Sequence, residues 1–351
     1  MKRLKSWLCL VCVLGLLVSL TGCSSSAEKT EPQGRAFFTY FDTVSYVYSY
    51  AGDSEETLNE RSAAVSDILE EYHQLFDIYH EYSGITNLCT INKLAGGEPL
   101  EVNKKLVDFL LYSKELYELT NGEMNVMLGP VLRLWHDARS AASDDPTNAY
   151  VPSYEELQEA MAHTDMSLLE IDAEKCTVRL TDPNASIDVG ALGKGYATEK
   201  AAEYLREIGA ESYVLNIGGN ISIIGHKPDG SVWSTGIRNP QQPDGEPIVY
   251  LGLADTACVT SGNYERFYTV DGVEYHHIID KDTLMPAAYF DSITVITKNS
   301  AMADTLSTAL YCVSYEEGLK LAESLEDVEV LWIFADGTTK MTSGLSALVT
   351  E

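Results

Sequence analysis

Residues 186–196, Ser-Ile-Asp-Val-Gly-Ala-Leu-Gly-Lys-Gly-Tyr, mark the point where this chain changes character. A short apolar strand ends there in a glycine-rich turn, which leads directly into an amphipathic helix with Ala197, Ala201 and Leu205 on one face. Helical patterns cluster before this segment and short strands dominate after it. We therefore predict an α+β fold of mixed, largely antiparallel sheets with packed helices, in a single compact unit with two subdomains.

The other elements are predicted from periodicity and capping residues. Residues 37–50, rich in aromatic and β-branched side chains, predict a strand pair or one long strand. Helices are predicted over residues 55–75, 103–119, 153–162, 195–208 and 300–324, the last broken near Ser314. Short strands follow from Leu168 onward, separated by Asp-Gly turns at 229–230, 271–272 and 336–337. The loop 137–152 is expected to be a hinge between subdomains or a surface excursion.

The composition is that of a folded and strongly acidic protein. Of the 351 residues, 45% are hydrophobic and 22% are charged, which supplies a sizeable core and is unlike a disordered chain. The formal net charge is -29 at pH 7. A surface of that sign repels phosphate backbones, so nucleic acid is excluded as a partner. Small anionic ligands remain compatible, because backbone amides or a divalent cation can reverse the field at one site.

The N-terminus has the pattern of an export signal. Basic residues are followed by an apolar run from Trp7 to Leu20, and these 14 residues are fewer than the ~20 that a membrane span needs. The tetrad Leu20-Thr21-Gly22-Cys23 resembles the bacterial lipobox, in which cleavage precedes a cysteine that receives lipid. We expect a lipid-anchored protein on the extracytoplasmic face of a bacterial cell membrane. The predicted segments are a lipoprotein signal peptide over 1–22, a lipidated tether over 23–36 and a folded domain over 37–345.

Four of the seven cysteines fall in that domain, at Cys89, Cys176, Cys258 and Cys312. They include no C-x-x-C pair and no Cys/His metal spacing, which argues against structural zinc. One disulfide is compatible with an oxidising compartment. Buried free thiols are the favoured interpretation.

The turn at 186–196 offers a seat for phosphate. Free amides at a helix N-terminus, together with Lys194, attract an anion, and Asp188 adds a polar group that a plain turn does not need. The spacing is neither that of a Walker loop nor that of a dinucleotide fingerprint, since Thr198 stands where the third glycine is required. An ordinary strand-to-helix turn explains the glycines equally well. A second glycine step, Gly218-Gly219, is interpreted as a structural bulge in preference to a ligand contact.

His277 and Asp280 form a candidate acid/base element after a predicted hairpin. Histidine is the side chain whose ordinary pKa lies nearest neutrality. A structural histidine on a strand is the competing interpretation. A metal site with His276 is disfavoured, because adjacent strand residues point to opposite faces.

Asp304 and Thr308 are four residues apart in a predicted helix, so their oxygens share one helix face. Hard oxygen donors of this kind suit Mg²⁺, completed by backbone carbonyls, water and a ligand phosphate. A solvated polar face is the alternative. The apolar residues around the pair, such as Leu306 and Leu310, favour a partnered carboxylate over a solvated one.

Taken together, these motifs resemble the ApbE family, the FAD:protein FMN transferases. The matching blocks occur in the family's order and span about residues 37 to 342. They are Phe41-Asp-Thr43, Gly122-Glu-Met-Asn125 with Gly129-Pro130 and Leu134-Trp135, Asp188 to Gly195 around Lys194, Gly218-Gly219, Thr260-Ser-Gly262, His277-Ile-Ile-Asp280, and Asp304 with Thr308.

The resemblance implies a T-fold-like architecture for residues 37–345 and a Mg²⁺-dependent reaction. In that reaction FAD is the substrate, a threonine hydroxyl of a target flavoprotein attacks the FMN-side phosphorus, and AMP leaves. The metal neutralises charge on the phosphate groups. Membrane-associated or exported electron-transfer subunits are the implied acceptors, consistent with the lipid anchor at Cys23.

The resemblance also implies roles for individual residues. Asp304, Thr308 and the carbonyl of Ala191 would hold the cation, and His277 would be the general base toward the threonine. The residues that would contact FAD or line its pockets are Phe41, Tyr79, Glu123, Met124, Asn125, Asp188, Lys194 and Ile279.

Two segments depart from the family pattern. Phe41-Asp42-Thr43 stands where much of the family has Met-Gly-Thr, and Lys281-Asp282-Thr283-Leu284 replaces Pro-x-Thr-Gly. The second changes a turn beside His277. Two other functions remain compatible with the sequence, namely hydrolysis of FAD to FMN and AMP, and flavin binding by a lipoprotein without chemistry.

Overall fold

The largest layer of the fold is an antiparallel sheet of eight strands. The computed structural model describes residues 32–350, so the predicted signal peptide and Cys23 lie outside the described residues. In chain order the strands are β1 (Gln33–Phe37), β2 (Ser45–Ser49), β3 (Leu100–Glu101), β4 (Leu169–Asp172), β5 (Thr177–Leu180), β6 (Tyr213–Ile217), β7 (Asn220–Ile224), β8 (Trp233–Ile237), β9 (Val249–Leu253), β10 (Ala257–Gly262), β11 (Phe267–Val270), β12 (Val273–His276), β13 (Ser292–Thr297), β14 (Glu329–Ile333), β15 (Thr339–Met341) and β16 (Val349–Thr350). The large sheet has the order β1-β2-β6-β7-β10-β13-β14-β15.

The remaining strands form smaller antiparallel layers. These have the orders β3-β5-β4 and β16-β9-β8, and β11 pairs with β12. The β11–β12 hairpin turns at Asp271-Gly272, where both residues have positive φ, of 49° and 81°. Positive φ at both central residues is the requirement of the type I′ turn, and Asp-Gly satisfies it readily.

The helices begin where the sequence supplies caps. They are α1 (Glu55–Phe76), α2 (Leu88–Lys93), α3 (Lys104–Leu119), α4 (Gly129–Asp144), α5 (Tyr154–Met161), α6 (Gly193–Glu207), α7 (Ser300–Tyr311) and α8 (Tyr315–Glu323). Ser54 caps α1, and Ser153 with Glu156 forms the predicted capping box of α5. A second capping box, Ser314 with Glu317, starts α8 and produces the predicted break.

The core joins helices to the large sheet. Leu58 of α1, Leu106 of α3 and Leu205 of α6 are fully buried in one cluster with Val47 of β2. Helix α7 packs on α6 and on β10 and β13, and its Leu306 lies in a neighbouring cluster. This packing places the N-terminus of α6 against α7, which is where the candidate site lies.

The predicted fold class is confirmed, and so are the predicted helices over 55–75, 103–119, 153–162, 195–208 and 300–324. The strand pair predicted within 37–50 exists, but its first strand, β1, spans Gln33–Phe37 and so lies almost entirely before that range, while β2 lies within it. The folded part therefore starts inside the segment predicted as a tether, and β16 extends it beyond residue 345. Residues 32–350 form one compact unit, in which the structure draws no boundary between two subdomains.

The prediction for residues 137–152 was wrong. Helix α4 continues to Asp144, and a short 3-10 turn follows. Pro130 near the start favours helix formation, and Val131, Trp135, Ala138 and Ala142 form a buried stripe at helical spacing. The many polar residues between these positions hid the stripe. Helix α2 was also not predicted, since its six residues are too few for a clear period.

The cysteine prediction is confirmed for the described residues. Cys89, Cys258 and Cys312 are buried free thiols, and Cys176 is a half-buried one. Within residues 32–350 no helix has both the length and the apolar character needed to cross a membrane.

Candidate active site

Helices α6 and α7 meet at Gly195 and Asp304. The backbone amide of Gly195 donates to Oδ2 of Asp304 at 2.8 Å. A Cβ atom on residue 195 would lie 2.4 Å from Cβ of Asp304 and 2.6 Å from the carbonyl oxygen of Ser300, so only glycine permits this approach. The Gly195 amide belongs to the first turn of α6, where N–H groups lack partners within the helix. Asp304 therefore caps a helix other than its own.

The carboxyl group of Asp304 is buried, and the hydroxyl group of Thr308 is supplied by the same helix. Desolvation raises the pKa of Asp304, and the ammonium group of Lys194 opposes that rise. Thr308 lies one turn further along α7, with Oγ1 3.5 Å from Oγ of Ser261. That distance is at the limit of a hydrogen bond, so the Thr308 hydroxyl is only weakly engaged by the protein.

These donors fit a hard cation. Among the described residues, no three or more His, Cys, Asp or Glu side chains are grouped as metal ligands. The set predicted from the resemblance consists of the Asp304 carboxylate and the Thr308 hydroxyl, one turn apart on α7, with the backbone carbonyl of Ala191 in the turn before α6. Mg²⁺ typically takes one or two carboxylates and completes its shell with water and substrate phosphates. The donor chemistry therefore suits Mg²⁺ bound together with a phosphorylated substrate.

The turn before α6 is held in place by Asn92. Its Nδ2 donates to the carbonyl oxygen of Ile187 at 2.9 Å, and its Oδ1 accepts from the Ile187 amide at 2.7 Å. The next amide, of Asp188, donates to the carbonyl of Val126 at 2.8 Å. The backbone of the predicted phosphate seat is thus fixed from two sides.

Asp188 has cations around it, although it forms no ion pair within 4.0 Å in the described part of the chain. Its Oδ1 accepts from the Gly190 amide at 2.8 Å. Desolvation raises the pKa of Asp188, while the Gly190 bond and the charges of Arg139 and Lys194 oppose the rise.

Helix α4 supplies two site residues that the sequence interpretation missed. The hydroxyl of Tyr79 lies 3.4 Å from Nδ1 of His136, and their rings are 5.2 Å apart. Nη2 of Arg139 donates to the same Nδ1 at 3.2 Å. Because Nδ1 accepts this bond, His136 is neutral, and desolvation together with Arg139 lowers its pKa. The spacing of His136 and Arg139 on one helix face was the available signal, and it was lost because the predicted loop began at residue 137, between them.

His277 is held with one ring nitrogen bonded and the other free to act as a base. Nδ1 lies 3.2 Å from the carbonyl oxygen of Arg266, to which it donates. The lone pair of neutral imidazole is then on Nε2. Desolvation, followed by the charges of Arg266, Lys194 and Arg139, lowers the pKa of His277 to about 3.

Lys281, one of the departures from the family pattern, pairs with Glu123. Its Nζ lies 3.1 Å from Oε1 of Glu123 and 2.8 Å from Oδ1 of Asp282. The other carboxylate oxygen of Glu123 is buried without a hydrogen-bond partner in the structure. Desolvation raises the pKa of Glu123, and Lys281 opposes the rise.

Three of the residues predicted to contact FAD make contacts within the protein itself. Met124 and Ile279 are buried in hydrophobic clusters. Oδ1 of Asn125 accepts from the Met127 amide at 2.8 Å and its Nδ2 donates to the carbonyl of Thr164 at 3.0 Å, so this side chain caps a short 3-10 helix.

Phe41 lies in a turn with a left-handed backbone. Phe41 and Asp42 have φ of 55° and 50°, and the Phe41 amide donates to Nδ1 of His73 at 3.3 Å. The adjacent Thr43 approaches Gly218 so closely that a Cβ there would lie 2.6 Å from its side chain. Gly218-Gly219 form the two-residue turn between β6 and β7, so the predicted bulge was wrong.

The structure thus links some of the predicted site residues to one another and leaves others separate. The charge of Lys194 acts on both Asp188 and His277, and Gly195 next to it bonds to Asp304. Tyr79 contacts His136. The predicted roles of these residues remain predictions.

Comparison with known proteins shows the family of the chain. Residues 41–332 match the model of the ApbE family. A protein of Treponema pallidum named FAD:protein FMN transferase is 32% identical over 273 residues, covering 74% of this chain and 73% of its own. One of the same name from Vibrio cholerae is 29% identical over 331 residues and 94% of each chain.

Solved structures show the same fold. The ApbE protein of Thermotoga maritima superposes with a TM-score of 0.79 at 26% identity, over 92% of this chain and 100% of its own. The flavin transferase ApbE of Vibrio cholerae gives a TM-score of 0.73 at 26% identity, over 90% and 99%.

Proposed function

The chain belongs to the ApbE family, and from that premise we propose that it transfers the FMN moiety of FAD to a threonine of a target flavoprotein and releases AMP. The observation that carries the proposal is the continuity of Lys194 and Gly195. Lys194 acts through its charge on the neutral base His277, where desolvation and Arg266 also lower the pKa, and Gly195 is bonded to the oxygen donor Asp304. A base and oxygen donors for a cation, linked here through two adjacent residues, are the parts that phosphoryl transfer to a hydroxyl requires.

The protein's own groups account for the proton and the charge. A bond forms between the threonine Oγ and the FMN-side phosphorus, and the bond from that phosphorus to the bridging oxygen breaks, with its electron pair leaving on AMP. Nε2 of His277 receives the hydroxyl proton. Lys194 offsets negative charge on the phosphates, and partial exclusion of water strengthens that interaction.

Asp304, Thr308 and the carbonyl of Ala191 are the residues that would hold Mg²⁺. When bound, the cation supplies charge neutralisation on the diphosphate. The protein contributes a buried carboxylate whose position is fixed by the Gly195 amide, so the seat is arranged before the substrate arrives.

The membrane location is part of the same proposal. Lipid on Cys23 would hold the enzyme at the extracytoplasmic face, where membrane-associated or exported flavoproteins would be its acceptors. Expression of the full chain with Cys23→Ala tests the anchor. The variant is expected to leave the detergent phase in a Triton X-114 partition, and equal partitioning of the two forms contradicts it.

The reaction is tested with the protein lacking residues 1–26, incubated with FAD, Mg²⁺ and a flavoprotein domain carrying an acceptor threonine. We expect an FMN-sized mass gain on the acceptor with matching AMP. Asp304→Asn should abolish the mass gain and the AMP, because it removes the negative charge that a cation needs. The amide oxygen of asparagine still accepts from the Gly195 amide, so the packing of α6 on α7 should be kept. The control is Asp327→Asn, which alters an exposed pair with Lys298.

The outcomes separate the three functions. AMP without a mass gain on several acceptors identifies a hydrolase. FAD that stays bound and yields neither product identifies a flavin-binding lipoprotein and overturns the transferase.

A further inference from the structure

Two arginines stand apart from the rest in how their charge is balanced. In the described part of the chain six of eight arginines pair with a carboxylate within 4.0 Å, namely Arg35, Arg61, Arg133, Arg179, Arg206 and Arg238. Arg139 and Arg266 do not. The chain has 53 acidic residues and a net charge of -29. Two guanidinium groups left without a carboxylate in such a protein indicate a site that keeps them free for another anion.

Each of the two arginines is linked by a contact to a residue at or beside the predicted site. Arg139 donates to His136, whose ring contacts Tyr79. The carbonyl oxygen of Arg266 holds the ring of His277. Helix α4, which carries Arg139, packs against β11, which begins directly after Arg266.

The two guanidinium groups influence each other electrostatically. Desolvation and then the charge of Arg266 lower the pKa of Arg139, and the carboxylate of Asp188 opposes this effect. Desolvation, followed by the charges of Arg266, Lys194 and Arg139, also lowers the pKa of His277. Three cations that act on one ring, opposed by the carboxylate of Asp188, favour a ligand with more than one negative charge.

We propose that Arg139 and Arg266 form an arginine pair that binds the diphosphate bridge of FAD. The inference rests on the proposed function and adds two binding residues to it. A guanidinium group presents parallel N–H donors that match phosphate oxygens, and such charge-assisted bonds are stronger than neutral ones.

The test compares ligands with and without phosphate. Binding of FAD and of riboflavin is measured by flavin fluorescence for the protein lacking residues 1–26, in the absence of acceptor. Arg139→Gln and Arg266→Gln should each weaken FAD binding by about tenfold or more, as expected for loss of a hydrogen bond to a charged group. Riboflavin binding should change less than about twofold, because the neutral ligand has no phosphate for a guanidinium group to bind.

The matched control is Arg133→Gln. Arg133 lies on the same helix, is 72% exposed and pairs with Asp137, and its loss should leave the binding of both ligands unchanged. Because Arg139 is half-buried, Arg139→Lys serves as a second variant. It keeps the charge and loses the parallel donors, so its FAD affinity should fall between those of the wild type and Arg139→Gln.

Two results overturn the proposal. One is an equal loss of FAD and riboflavin binding, which means that the substitutions disturb the fold. The other is unchanged FAD binding with weaker use of the acceptor, which means that the pair contacts the acceptor protein. If the wild type forms no AMP but its FAD affinity depends on both arginines, the pair stands and the transferase function falls.

Discussion

Trp135 donates its indole N–H to the carbonyl oxygen of Leu284 at 2.9 Å, and in doing so joins helix α4 to the turn that follows His277. Leu284 is buried and has a φ of 59°, the left-handed region that favours glycine. The resemblance places glycine there in the family. The turn has therefore kept the conformation that glycine adopts easily while carrying a leucine.

The first prediction follows from that backbone. Leu284→Ala loses the buried side chain and keeps the left-handed strain, whereas Leu284→Gly loses the same side chain and relieves the strain. We expect both to be destabilised, with the glycine variant more stable than the alanine variant by about 1 kcal/mol. Urea denaturation measures the difference. The same pair of substitutions at Leu157, within helix α5, should give the opposite order.

The second prediction concerns the close approach of α6 and α7. Gly195→Ala places a methyl group 2.4 Å from Cβ of Asp304, so the helices must separate and the carboxylate must shift. We expect a loss of roughly 1–3 kcal/mol in the free energy of unfolding, together with loss of AMP formation. Gly318→Ala, within helix α8, is the control, because a Cβ atom at residue 318 would lie 3.5 Å from its nearest neighbour, a side-chain carbon of Leu310. That variant should be neutral or more stable.

The third prediction concerns the pH dependence of His277. Its pKa of about 3 in the folded protein lies below the ordinary value of about 6.5, so the base is neutral throughout the range from pH 5 to 8. The unfolded chain binds the proton more readily, so this group lowers stability as pH falls from about 6.5 toward 3. NMR titration of the ring should show no ionisation near neutrality in the free enzyme.

Removal of a neighbouring charge provides the contrast for His277. Arg266→Gln should raise the pKa of His277 toward its ordinary range, since Arg266 is the largest charge contribution after desolvation. An unchanged titration in this variant would contradict the contribution assigned to the guanidinium group.

The fourth prediction concerns the ion pair of Glu123 and Lys281. Lys281→Met leaves a half-buried carboxylate without its cation, and we expect a loss of roughly 2 kcal/mol in the free energy of unfolding at pH 7. The folded-state pKa of Glu123 is raised, so the loss should be present above that pKa and should disappear as pH falls below the ordinary value of about 4.5. The double variant with Glu123→Gln should recover most of the stability at pH 7. Failure to recover it would show that the lysine acts through other contacts.

Much of the local structure could be predicted from the sequence. Capping residues such as Ser153 and Ser314 fixed where helices begin, because their side chains bond to amides within the same turn. The spacing of Asp304 and Thr308 placed both on one face of α7, because residues four apart in an α-helix lie one turn apart. Helix α4 was not predicted, because polar residues separate the members of its buried stripe. Whether those polar residues are exposed depends on which elements pack against the helix.

By itself, then, the sequence determined the fold class, the capped helices and the motifs that identify the family, all of which depend on residues a turn or a strand apart. The tertiary structure decided the rest. Only packing made the charges of Arg139 and Lys194 act on both Asp188 and His277, and only packing made Asp304 the cap of a helix more than 100 residues away. Desolvation, charge balance and pKa depend on which faces meet, and short-range patterns do not encode those contacts.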